Sequence, residues 1–261
     1  MATKNLTPET ISEVTTDKET RIKSILSPAP GPAIKPRRWL RRLKKILLYT
    51  AISLIAFYFV GRLVWRFSGS NQWELYGEKN GVKVYTLKQP GSDLRKFKSV
   101  FRIHAALGSL IKYMQDPDAC NDVGCINAYE IERQDDRLQY GYFAYKLPFP
   151  FQAREMVVRQ QFYQEPKTKI VLAEYVAYPD KLPPHDCCFR VTTMNNTWRI
   201  TPLGNNEVQI EYVLDMDMGG FIPDILSNTS RSNLLFLFPK LEEWVNRPKY
   251  KDAKFDWIQE K

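Results

Sequence analysis

Apolar positions in this chain fall into two patterns: one dense run over residues 46–65, interrupted by a charge only at Arg62, and behind it a long stretch in which they alternate with polar ones. The run is apolar on nearly every face over 46–60, unlike the single stripe of a helix lying on a soluble core. About twenty such residues rise ~30 Å as a helix, the thickness of a bilayer's hydrocarbon layer. The alternating stretch predicts strands at 82–85 and 96–105, then a short helix over Leu107–Gln115 stopped by Asp116-Pro117. Antiparallel strands follow at 129–133, 137–145, 154–164, 169–178, 189–202 and 207–217, separated by turn residues such as Glu165-Pro166 and Gly204-Asn205-Asn206. In the last, Val208, Ile210, Tyr212, Leu214 and Met216 face one way and charged or amide side chains the other, so one face of the sheet is wet. A final helical segment, 223–246, carries Ile225, Leu226, Leu234, Leu237, Leu241, Trp244 and Val245 as an apolar stripe, with Pro239 expected to kink or split it. The fold class is α+β: a curled antiparallel sheet gripping the terminal helix, with room between them for a cavity.

Charge changes the picture at the front of the chain. Arg37, Arg38, Arg41, Arg42, Lys44 and Lys45 precede the apolar run, which predicts a single-pass membrane helix with the N-terminus in the cytoplasm and everything after residue 66 on the periplasmic or lumenal side. Arg62, near the far end, snorkels to the headgroups beside Trp65 and Arg66. A cleaved secretory signal fits less well, because its basic region would be some 45 residues long and no small-x-small cleavage site follows. Residues 1–66 hold 13 of the 38 Lys and Arg against 4 of the 29 Asp and Glu, leaving 25 of each sign beyond. The folded part is neutral and its cations are scattered, so a nucleic-acid groove has no support. Residues 1–36, rich in Thr, Ser, Pro and charge and without an aromatic side chain, are expected to be a disordered tail. Residues 37–66 are then basic flank plus transmembrane helix, and 71–250 a single domain. The connecting residues 68–72 reach ~20 Å at most, which keeps the domain against the bilayer.

Four cysteines, Cys120, Cys125, Cys187 and Cys188, are too few for a disulfide scaffold. The adjacent pair is poorly placed to bridge itself, and a bridge between the 120–125 region and Cys187 or Cys188 is allowed. With only His104 and His185 beside them, no metal site is expected.

An ordered set of short motifs then stands out: Trp73 before Gly81-Val82-Lys83-Val84-Tyr85, Phe97-Lys98, Asp116, Lys146-Leu147-Pro148-Phe149-Pro150 with Arg154-Glu155, Trp198-Arg199-Ile200-Thr201-Pro202, and Asp217 with Gly219-Gly220-Phe221-Ile222-Pro223. Over 71–246 this set resembles the START family, the lipid-transfer domains related to steroidogenic acute regulatory protein. The chain departs from it where Cys120-Asn121-Asp122-Val123-Gly124-Cys125 replaces a usual tryptophan and Ala153-Arg154-Glu155 a usual Asp-Arg-Asp. The resemblance implies a helix-grip fold holding one lipid or sterol, with the last helix and neighbouring loops as a lid.

A hydrocarbon ligand gains ~0.8 kcal/mol for each methylene taken out of water, so an apolar chamber needs only one or two polar contacts to orient it. Ser99, Glu174, Tyr142 and Tyr212 are the polar candidates, and Phe101, Val158, Val176, Leu214, Ile222 and Leu226 the apolar lining. No Gly-x-Ser-x-Gly, phosphate loop or paired metal ligands occur, so no catalytic residue and no cofactor beyond the bound lipid are expected. A cyclase- or hydrolase-like enzyme of the wider helix-grip group would need an acid-base group inside the chamber, with Glu174 the candidate. Arg154-Glu155 reads as an ion pair or turn contact fixing the loop after Pro150, His104 as solvent-facing and His185 as a loop residue. The expected partners are membrane lipid and the bilayer. A membrane-anchored sensor or chaperone presenting lipid or quinone to a neighbouring protein is the alternative to transfer.

Overall fold

A computed structural model describes residues 38–220, 222 and 231–261. The chain divides into two units, at Phe59 and Val60. Helix α1 (Arg38–Phe67) starts eight residues ahead of the apolar run, because the basic flank is itself built of good helix formers. Its side chains from Trp39 to Phe59 are exposed, and it is the one helix among the described residues long and apolar enough to cross a membrane. The expected tail, 1–36, lies outside the described residues.

In the second unit eleven strands form one curved sheet, ordered β1-β2-β3-β10-β9-β7-β6-β5-β4, with β11 on β9 and β8 on β6. They are β1 (Glu74–Lys79), β2 (Val82–Lys88), β3 (Arg95–His104), β4 (Ile126–Arg133), β5 (Leu138–Tyr145), β6 (Ala153–Gln164), β7 (Val171–Ala177), β8 (Cys188–Arg190), β9 (Thr193–Gly204), β10 (Glu207–Leu214) and β11 (Met216–Asp217). All pairings are antiparallel except β6 with β8. The segment 189–202, expected as one strand, breaks at Val191-Thr192. Its first part leaves to pair with β6, which carries the loop before it onto the outer face of the sheet. Strand β1 was not expected, and its mostly exposed side chains explain why no alternation marks it.

Helix α2 (Leu107–Gln115) has the predicted bounds and drives Leu107, Leu110 and Ile111 into the core beneath the sheet. Residues 223–230 of the expected terminal helix lie outside the described residues; the rest is split at Pro239, as its sequence implied, into α3 (Arg231–Leu237), a 3-10 turn and α4 (Leu241–Val245). Phe238 stacks on Phe101 at 4.6 Å and Trp244 on Tyr113 at 6.5 Å, so the core closes between sheet, α2 and these helices.

The residues beyond Val245 fasten this arrangement. Arg247 makes two bonds to the Asp122 carboxylate, at 2.8 and 2.9 Å, and the Tyr250 hydroxyl donates to Asp116. The Glu260 carboxylate accepts from the Leu107 and Gly108 amides, both at 3.1 Å. It thereby satisfies two of the unpaired donors at the start of α2 and opposes the positive end of its dipole. Glu260→Ala is therefore expected to cost about 1 kcal/mol, read by thermal unfolding.

The sulfurs pair as Cys120 with Cys125 and Cys187 with Cys188. The expectation that the adjacent pair would not bridge is thus corrected: the chain turns back at 185–188 to enter β8, with the Cys188 amide donating to His185 O, and this turn brings the two sulfurs together.

Candidate functional site

Strand direction sorts the loops into two groups. At one end of the sheet lie the β2–β3 turn, the β5–β6 loop 146–152, the β7–β8 loop 178–187 and the exit from β10 through Met216 to Gly220. The opposite end carries α2, the last residues of the chain and a groove of about 480 Å³ between Val82, Phe101, Ile103, Phe238 and Glu242.

The inner face near the first group is apolar and rich in methionine. Met156, Val158, Val191 and Met194 are buried there, with Phe143, Tyr145, Tyr175, Ala177, Met216 and Met218 half-buried against them. Thioethers and unbranched chains adapt to ligands of varied shape, which suits hydrocarbon better than a rigid aliphatic wall would. One row across the sheet places Val84, Ser99, Tyr212, Trp198, Ala173 and Phe162 side by side on this face. Ser99 is 0 % exposed and its hydroxyl has no hydrogen-bond partner. Leu214 follows Tyr212 at half burial, and burial pushes the Tyr145 hydroxyl up to about 12, so it stays a neutral hydrogen-bonding group. Tyr212 is raised for the same reason, with Tyr145 and Tyr175 adding to it.

Of the ten residues proposed from sequence, Ser99, Phe101, Val158, Tyr212 and Leu214 thus share the inner face. Ile222 is half-buried just beyond Gly220, and Leu226 lies outside the described residues. Three others do not point inward. Glu174 is exposed and Val176 half-buried on the outer face, because β7 turns Val171, Ala173, Tyr175 and Ala177 inward. Tyr142 is on the outer face too, packed with Ala144, Val157 and Leu182 under the β7–β8 loop. Glu174 therefore stands on the face opposite the one where an acid-base group was expected.

Arg154 and Glu155 do not pair with each other, since adjacent strand residues point to opposite faces. Arg154, buried, donates Nε to the Met218 carbonyl (2.8 Å), Nη2 to that of Gly219 (3.0 Å) and Nη1 to that of Gln152 (2.7 Å), with its guanidinium over the Phe189 ring at 4.9 Å. It holds Met218 and Gly219 against the sheet. Glu155 is 0 % exposed on the outer face. Its Oε1 accepts from Arg190 Nε at 2.9 Å and from the His185 amide at 3.1 Å; its Oε2 lies 2.6 Å from His185 Nδ1 and accepts the Tyr142 hydroxyl at 3.1 Å. Arg190 in turn donates to the carbonyls of Pro179, Leu182 and Pro183. Burial opposes the charge on Glu155, yet the bonds from His185 and Arg190 outweigh it and hold the carboxyl below its ordinary range. Burial and the bond to Glu155 push Tyr142 up to about 12. Sequence reasoning missed this cluster. Its one signal was a glutamate at a strand position flanked by Arg154, Met156 and Val157, with an arginine available elsewhere to neutralise it.

Gly219 and Gly220 adopt positive φ, +63° and +66°, and both press on Phe189. A Cβ at Gly219 would come within 2.4 Å of that ring. Gly219→Ala combines the clash with a left-handed backbone penalty and is expected to cost about 2 kcal/mol, seen as faster amide exchange at 217–220. Among the described residues no three His, Cys, Asp or Glu side chains gather as metal ligands.

No family model matches the sequence. An uncharacterised protein of Pseudomonas aeruginosa is 22 % identical over 188 residues, which cover 72 % of this chain and 90 % of that one. Among solved structures, a STAR-related lipid transfer protein fragment from Xanthomonas axonopodis superposes with a TM-score of 0.61 at 24 % identity, over 67 % of this chain and 99 % of that one. Human STARD10 gives 0.59 at 18 % identity over 70 % and 77 %, and human StAR-related lipid transfer protein 5 gives 0.57 at 13 % over 76 % and 98 %.

Proposed function

We propose that this chain, which has the helix-grip fold of the START lipid-transfer domains, is a membrane-tethered protein that binds one lipid or sterol between its sheet and its terminal helices and has no catalytic step. The reading is carried by the methionine-rich inner face, apolar yet furnished with the Ser99, Tyr145 and Tyr212 hydroxyls. Such a surface gains ~25 cal/mol for each Å² of hydrocarbon it covers, and a single hydroxyl suffices to orient a polar head. Val158 and Leu214 line the interior and Ile222 stands at its entry, while Phe101, stacked on Phe238, belongs to the closed core behind it.

Exchange requires an opening, and the parts assigned to it are residues 217–220 and the loop containing Leu182, Pro183 and Pro184. Arg154 bonds the first and Arg190 the second, beside packing on Phe189 and on Tyr142, so each is held in part by polar contacts that can be broken singly. Beside them Phe149, 97 % exposed between Pro148 and Pro150, supplies an apolar tip that a bilayer interface would accommodate. The helix α1 supplies the tether, with the domain on the periplasmic or lumenal side by the charge rule.

Residues 68–261, produced without the apolar helix, are expected to carry lipid detectable by native mass spectrometry or to take it from liposomes. Loading should fall when Ser99 becomes Phe. A soluble part that carries none and takes none would refute the reading.

A further inference from the structure

The last turn of α1 is not left to a flexible linker. The final carbonyls of a helix lack partners within it; here Ser68 takes up those of Val64 and Trp65, and the β2–β3 turn takes up that of Arg66 and of Ser68 just beyond it. Lys88 Nζ donates to the carbonyls of Ser68 (3.0 Å), Ser92 (2.9 Å) and Arg66 (3.4 Å), which engages all three ammonium protons. The Gly91 amide also donates to Arg66 O, at 2.8 Å, and the Asn71 amide to Lys88 O, at 3.2 Å. Trp65 donates its indole N–H to Asp93 O (3.1 Å), and Lys88 Nζ and the Arg95 guanidinium lie over its ring at 4.8 and 5.0 Å. Arg62 reaches the Asp93 carboxylate at 3.8 Å. The chain leaves this cage through Gly69, at φ +118°, where a Cβ would lie 2.4 Å from Lys88 O.

Lys88 is only 7 % exposed, and burial lowers its pKa. A lysine without a carboxylate bonded to it is an expensive residue to bury. Its ammonium is instead matched to carbonyl oxygens at the end of α1 and in the β2–β3 turn, with the nearby Asp93 carboxylate adding its charge. The apolar stretch that remains free of these contacts, 46–61, is ~24 Å long and continues beyond Lys45 into the amphipathic stems of the basic flank, which can complete a crossing.

The β2–β3 turn that makes the cage stands at the same end of the sheet as the Gly219-Gly220 segment, the loop containing Pro183 and Pro184, and the tip bearing Phe149. We propose that Lys88 is the positioning residue of a fixed joint, holding the end of the membrane-crossing helix on the β2–β3 turn so that the domain exchanges lipid with the bilayer its own helix occupies and with no other. This rests on the lipid-binding reading above and decides between its two forms: a domain so joined presents a lipid at its own membrane and does not shuttle it across a gap.

The full chain in nanodiscs tests the joint without reference to any ligand. Spin labels at Gly61→Cys, where a side chain meets nothing within 4 Å, and at Glu174→Cys, exposed on β7, are expected to give one narrow distance distribution. Lys88→Met should broaden it while Trp65→Phe, which removes only the indole donor, broadens it less. A distribution already broad with Lys88 present, or one left narrow by Lys88→Met, overturns the proposal. In a second arm, donor vesicles holding the full chain and a fluorescent lipid are mixed with protein-free acceptors. The native chain should load from its own vesicle and deliver to acceptors at the background rate, and a thirty-residue Gly/Ser insertion after Ser68 should raise delivery at least tenfold. Native delivery as fast as that of the extended chain also overturns it. If neither chain loads lipid, the lipid reading fails and the label distances alone decide the joint.

Discussion

Glu155→Gln is expected to destabilise the domain by about 3 kcal/mol, because it leaves the nearly buried Arg190 guanidinium without its counter-charge while keeping the shape of the side chain. For a domain of this size that is a fall of roughly 6–12 °C in Tm. The loss should be concentrated on the outer face. Amides of the β7–β8 loop lose protection first, since Arg190 also holds the carbonyls of Pro179, Leu182 and Pro183. The sign with pH follows from the direction of the Glu155 shift. A carboxyl held below its ordinary 4.5 in the folded state stabilises the fold above that pH, and the contribution disappears as acid protonates it. The native domain should therefore lose stability below about pH 4.5, and the glutamine variant should show a flatter profile there. A variant with unchanged Tm and an unchanged acid limb would show that the cluster bears no load.

What alternation alone predicted correctly, and where it failed, have the same cause. Strands β3 and β10 have one wet face, so Phe97, Ser99, Phe101, Tyr212 and Leu214 were assigned to the right side by their polar neighbours. Helix α2 was legible because its apolar spacing ends at a proline. On β7 the inner positions include the small Ala173 and Ala177, whereas Leu172 and Val176 sit on the outer face, so side-chain size pointed Glu174 the wrong way. On β5 both faces are covered, the outer one by a loop returning from about forty residues further on, and Tyr142 gave no sign of which side it took. Strand β8 and the Glu155 cluster depend on that same loop. A parallel pairing of three residues leaves no periodicity to read. Lys88 is the sharpest case, because a lysine at a strand end reads as solvated until the helix that it caps is seen beside it.

Arg154→Met is expected to have the larger effect on exchange. The three carbonyls of Gln152, Met218 and Gly219 lose a charged donor, and each such bond contributes about 1.5 kcal/mol or more. Two of them close the segment 217–220 over the inner face, so the barrier to opening should fall by about 3 kcal/mol if both are lost in the open state, a rate increase of roughly a hundredfold. The methionine keeps most of the packing on Phe189, which separates loss of the bonds from loss of the core. Global stability should fall by a similar amount, and the two readouts differ by where amide exchange accelerates: at 217–220 under native conditions for the gate, throughout the sheet for global unfolding. Lys in place of Arg154 provides the control. Its single ammonium cannot span three carbonyls set around a planar fork, so Arg154→Lys should restore part of the stability and little of the slow exchange. Lipid exchange that stays at the native rate in Arg154→Met, with protection at 217–220 lost, would separate this segment from the path the lipid takes.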